Sequence, residues 1–104
     1  MRLGSLERSV LLALAELGGG VYLPRLGGYV FRGWRPDGRY AVPPDLTPAE
    51  RRSLRRAIQS LADKELIEGF TMWDGQDLGL SEAWLTPDGY AAAAALAAVR
   101  ERDG

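Results

Sequence analysis

Leu46 to Glu68 reads LTPAERRSLRRAIQSLADKELIE, and this stretch decides the fold. Thr47 is a helix cap, Pro48 suits the first turn, and Glu50 stands three residues after the cap, where it closes a capping box. Leu54, Ala57, Ile58 and Leu61 then recur at helical period and form one apolar stripe. At about 100° per residue, Arg52, Arg56 and Gln59 fall on the opposite face, with Arg55 on its flank. Leu66-Ile67 begins an extended run that reaches Trp73. The reading is a helix over Pro48–Lys64, buried on one side and arginine-rich on the other, that runs straight into a strand.

Toward the N-terminus, Leu6, Val10, Ala13, Leu14 and Leu17 give a first helix over Ser5–Leu17, with Ser5 as its cap and Gly18-Gly19-Gly20 as its stop. Val21–Leu23 is a short extended piece. Pro24 opens a second helix holding Leu26, Val30 and Phe31, which ends at Gly33. Its internal Gly27 and Gly28 cost roughly 1 kcal/mol each against alanine, which points to close helix packing. Trp34–Asp45 carries three prolines and a Pro-Asp-Gly turn, so it reads as a loop pinned to the core by Trp34 and Tyr40. Toward the C-terminus, Asp74-Gly75 opens a turn, Gln76–Ser81 has linker chemistry, and Glu82–Leu85 returns as a strand. Thr86-Pro87 repeats the cap-plus-proline device and starts a terminal helix to about Arg100. The expected order is helix, helix, helix, hairpin, helix. It gives an α+β, mostly α, single domain over residues 1–104, with a core in 1–86 and the terminal helix in 87–104.

Composition narrows the chemistry. With 104 residues, the chain holds one modest core. It has no cysteine, hence no disulfide, thiolate nucleophile or cysteine-bound zinc. It has no histidine, which removes the commonest metal ligand and the commonest general base at neutral pH. An enzyme, a cofactor and a metal site are therefore not expected. Val10–Leu17 is too short to span a bilayer and contains Glu16, and Glu7 and Glu16 interrupt any signal-peptide pattern over Met1–Gly20. A cytoplasmic protein with no membrane partner is the expectation.

The net charge of −1 conceals a strong asymmetry. Residues 22–60 hold eight arginines (25, 32, 35, 39, 51, 52, 55 and 56) against Asp37, Asp45 and Glu50, whereas residues 61–104 hold three cations against nine acids. Such polarity indicates one basic binding surface. Arginine is also the best bidentate reader of guanine, and arginine clusters neutralise phosphates.

Two segments carry a resemblance. The first runs Arg56-Ala57-Ile58-Gln59-Ser60-Leu61-Ala62-Asp63-Lys64-Glu65-Leu66-Ile67-Glu68, and the second runs Trp84-Leu85-Thr86-Pro87-Asp88-Gly89-Tyr90. They resemble, respectively, the end of a recognition helix entering the wing and the "LTPxG" entry into the last helix of winged helix-turn-helix regulators of the MarR and PadR kinds. In the family a glycine usually stands at the place of Glu65. With Ser9–Gly33 as the first two helices, the likeness covers nearly the whole chain. It implies a winged helix-turn-helix with three helices, a β-hairpin wing and a C-terminal helix. It also implies sequence-specific double-stranded DNA binding, transcriptional regulation, and a homodimer with paired recognition helices. Two departures stand out. Trp34–Asp45 lengthens the connection between the second and third helices, and no lysine or arginine occurs from Glu65 to Val99. Glu68, Asp74, Asp77 and Glu82 make the hairpin acidic, so it would repel phosphates.

On this reading Arg51, Arg52, Arg55, Arg56 and Gln59 meet bases and phosphates, while Arg25, Arg32, Arg35 and Arg39 add backbone contacts. The bland alternative for the cluster is a solvated helix face, with arginine chosen for helix propensity. Asp74, Asp77 and Glu82 lack the spacing of a calcium loop and read as solvated turn residues. Trp73 and Trp84 read as cross-strand or core aromatics. Small side chains let the alanine-rich terminal helix approach closely either the first helix or a second subunit. Two other functions stay open: a winged-helix protein-interaction module whose acidic wing meets a basic partner, and a plasmid or phage replication or partition DNA-binding protein.

Overall fold

The computed structural model describes residues 3–35, 42–73 and 78–103. Among them the chain forms α1 (Ser5–Glu16), β1 (Gly20–Tyr22), α2 (Leu23–Arg32), α3 (Pro48–Asp63), β2 (Ile67–Trp73), β3 (Leu78–Leu85) and α4 (Pro87–Asp103). The fold is α+β and mostly helical. One antiparallel sheet has the order β1-β3-β2. No helix among the described residues is long and apolar enough to cross a membrane.

The core is built around α1. Val10, Leu11, Ala13 and Leu14 are buried there against Leu26 of α2, Leu54, Ala57, Ile58 and Leu61 of α3, Ala83 and Leu85 of β3, and Ala93 of α4. The α3 stripe is the one its periodicity indicates. The α1 stripe is broader, because Leu11 is fully buried while Leu6 and Leu17 are only partly so. A helix that packs against elements on several sides hides more than a single-face pattern marks. Gly27 lies where an added methyl would run into Leu46 and Leu54, and Gly28 faces Pro44 and Trp34. The expected close packing is therefore of α2 against both α3 and the segment that leads into it.

Several boundaries differ from the sequence reading. The cap of α1 is Gly4 rather than Ser5: the Gly4 N–H donates to Glu7 Oε1 at 3.2 Å, and Ser5 is already helical. α2 starts at Leu23, one residue before Pro24, and α4 runs on to Asp103. The extended piece before α2 is a true strand, since Gly20, Val21 and Tyr22 pair with Trp84, Ala83 and Glu82. The hairpin thereby becomes a three-stranded sheet. β3 begins at Leu78, within the supposed linker, because Thr71, Met72 and Trp73 pair with Leu80, Gly79 and Leu78. Leu78 and Leu80 do alternate with Gly79 and Ser81, but the low strand propensity of glycine and serine hides the pattern. The register shifts between Phe70 and Thr71, where Ser81 is the additional residue. The expected turns Pro36-Asp37-Gly38 and Asp74-Gly75, together with Arg39, Tyr40 and Asp77, lie outside the described residues.

The junctions on either side of the sheet are tightly specified. α3 ends in a Schellman motif: Leu66 N–H reaches Leu61 O and Glu65 N–H reaches Ala62 O, both at 3.0 Å, with Glu65 itself at φ 62. The Thr86 hydroxyl then does two jobs. It accepts from Gly89 N–H at 3.0 Å, which caps α4, and donates to Glu65 O at 2.7 Å. At Gly89 an added methyl would strike the carbonyl of Leu66, so only glycine permits this approach of α4 to β2.

Candidate nucleic-acid interface

α3 is set in place at both ends by a glutamate that serves twice. At its start Thr47 Oγ1 accepts from Glu50 N–H at 3.1 Å, and Thr47 N–H donates to Glu50 Oε1 at 2.9 Å. The same carboxylate takes a two-pronged ion pair from Arg32 at the end of α2. The Arg32 guanidinium, with the Thr47 N–H, holds the Glu50 carboxyl down to about 2. Glu50 in turn raises the pKa of Arg32. At the other end Lys64 Nζ lies 2.7 Å from Glu7 Oε2, and Ser60 Oγ donates to that oxygen at 3.2 Å. Glu7 also occupies the backbone N–H that opens α1. The Lys64 ammonium lowers the Glu7 pKa against the opposing effect of burial.

Held in this way, α3 turns Arg51, Arg52, Arg55, Arg56, Gln59 and Asp63 to solvent, while Leu54, Ala57, Ile58 and Leu61 face the core. Arg52, Arg55, Arg56 and Gln59 line one shallow concavity of about 500 Å³ together with Ser60 and Asp63. Arg51 is exposed on the flank of the same helix. A second crevice of about 410 Å³ runs between α3 and the start of α1, and Arg56 borders both.

The remaining arginines are placed differently. Arg25 is exposed at the start of α2, and Arg35 is exposed after its end with its guanidinium 5.5 Å from the centre of the Tyr29 ring. Neither lines the concavity. Arg32 is matched in charge by Glu50, so its first role is to fix the angle between α2 and α3. Asp63 was not singled out by the sequence reading. The signal was its spacing, four residues beyond Gln59 and seven beyond Arg56, which puts it on the same strip of helix.

Among the described side chains of β2 and β3, the exposed ones are acidic or aromatic. Glu68 and Trp84 pair across β2 and β3, and both are exposed. The Trp84 indole lies over Gly20 of β1. Trp84 is thus a cross-strand aromatic at 43 % exposure rather than a core residue. Among the described residues no group of acids is arranged to hold a metal ion. Comparisons of the chain with protein families, with curated proteins and with solved structures return no match.

Proposed function

We propose that this chain is a winged helix-turn-helix protein that binds double-stranded DNA sequence-specifically, as a cytoplasmic transcriptional regulator rather than an enzyme. The observation that carries the reading is the outer face of α3, where four exposed arginines and Gln59 sit opposite the buried Leu54–Leu61 stripe. A helix about 10–12 Å across fits the major groove, about 12 Å wide. α3 would lie in that groove, with Arg52, Arg55, Arg56 and Gln59 toward bases and phosphates and Arg51 toward the backbone. Arg25 and Arg35 would reach flanking phosphates, while Arg32 acts through Glu50 on the pose of α3. β2 and β3 form the wing, which the exposed Glu68 keeps off the phosphates.

The assembly we propose is a homodimer through α4. That helix buries Gly89 and Ala93 and leaves Tyr90, Ala91, Ala94, Ala95, Ala98 and Val99 exposed, so its outer face is apolar as well. A helix apolar on all sides is stable when both faces are covered.

Titration of a labelled random-sequence duplex over a series of salt concentrations tests the reading. Affinity should fall by about 0.9 log units per log unit of salt for each phosphate neutralised, and Arg51→Ala should remove about one such step. The exposed Glu68–Trp84 pair favours one other reading, a protein-interaction module. That reading takes precedence if no duplex binds even at low salt.

A further inference from the structure

Among the described residues, Asp63 is the one acid lining a concavity otherwise made of arginine, glutamine and serine. A carboxylate facing phosphates would only weaken binding, yet Asp63 lines the same concavity as Arg52, Arg55 and Arg56. It is also braced, since Gln59 Nε2 donates to Asp63 Oδ1 at 3.0 Å. One carboxylate oxygen is thereby fixed. The other has no partner among the described residues and stays exposed as an acceptor. In the major groove guanine shows only acceptors and thymine an acceptor beside a methyl, so both repel a carboxylate. Adenine shows a donor at N6, but its N7 acceptor lies alongside. Cytosine shows the N4 donor with no acceptor on its own edge.

We infer that Asp63, held by Gln59, is a specificity-determining residue that selects cytosine by accepting a hydrogen bond from its N4 amino group. The inference rests on the DNA-binding reading of α3. It adds a distance to it. Asp63 follows Arg56 by seven residues and Arg52 by eleven, which at about 1.5 Å per residue is roughly 10 and 16 Å along the helix. At about 3.4 Å per base step these separations are about three and five base pairs. The recognised half-site should therefore contain guanines read by arginine and, about three to five base pairs away, one position that requires cytosine on one strand.

Selection from a randomised duplex pool, run in parallel on the native protein, Asp63→Asn and Asp63→Ala, tests this. Asp63→Asn keeps the size and the acceptor that Gln59 braces but replaces the free oxygen with an NH2 donor. It should lose about tenfold of the preference at the cytosine position and shift toward adenine, the base an amide reads, with the guanine positions unchanged. Asp63→Ala should level that position and raise affinity for unrelated duplex, because a negative charge leaves the interface. Asp63 is exposed at the last turn of α3, and a thermal melt of each variant confirms that it folds. If the native protein selects a sequence and both variants select the same one, Asp63 is only a brace for Gln59. The inference then falls while the DNA-binding reading stands. If the native protein binds no duplex at low salt, both fall together.

Discussion

Glu65 holds the left-handed backbone conformation, φ 62, at the position that closes the Schellman turn of α3. A β-carbon there crowds the following carbonyl at a cost of about 1–2 kcal/mol, part of which glycine forfeits by loosening the unfolded chain. Glu65→Gly should accordingly stabilise the protein by about 0.5–1 kcal/mol. Urea unfolding should show a higher midpoint at an unchanged slope, and a lower midpoint would mean that the Glu65 side chain makes a compensating contact. The resemblance marks this place, since a glycine is usual there, but only the positive φ says why. Gly89 is the complementary case. Its glycine is visible in the sequence as part of a motif, whereas its reason, the carbonyl of Leu66 against the first turn of α4, lies more than twenty residues away in the chain. Single-residue punctuation can be seen in a sequence when its cause is local and stays hidden when the cause is a distant backbone atom.

For α3, the start is legible in full: the Thr47–Glu50 box, the proline and the Leu54–Leu61 stripe all stand as the sequence indicates. Its fixation is not legible. Nothing in the spacing says that the capping glutamates of α1 and α3 would each also hold a cation from another helix, because Glu7 and Lys64 are 57 residues apart. Both carboxyls are shifted below their ordinary values, Glu50 to about 2. A group with a depressed folded pKa contributes stability that is whole above its unfolded value, about 4.3, and is lost as pH falls through the folded one. The melting temperature should therefore decline between about pH 4.5 and pH 2, and the decline should be shallower in Glu50→Gln, which keeps the cap acceptor but not the charge. An identical acid profile in the variant would mean that the Arg32–Glu50 pair adds nothing to folding. The strands teach the same lesson from the other side. β1 is too short to announce itself, and β3 is disguised by Gly79 and Ser81, so both are secured by their partners more than by their own residues.

Among the described residues, charge and apolar surface are segregated: an arginine cluster on α3, exposed Glu68 on β2, and an apolar outer face on α4. Tyr90 at 50 % and Val99 at 54 % exposure flank that last face, which the proposed homodimer would cover. Light scattering at tens of micromolar should give twice the chain mass of 11.3 kDa. Tyr90→Lys with Ala94→Glu should return the monomer with its helical content intact. A native protein that is monomeric at that concentration would exclude the paired-helix arrangement.

The pairing of β1 with β3 governs how this chain comes to be folded at all. Gly20 finds Trp84 across sixty-four residues, and α1, the centre of the core, lies against α4, the last element. Contacts between sequence-distant segments are entropically slow to form, since the intervening chain must be closed into a loop before the contact repays it. During synthesis Val10, Leu11 and Leu14 would emerge from the ribosome long before Ala83, Leu85 and Ala93 exist to shield them. The helices α1 to α3 can meet early, but the sheet cannot close until translation has passed Leu85. Until then the nascent protein is a sticky partial bundle, and its final shape waits on the arrival of β3 and α4.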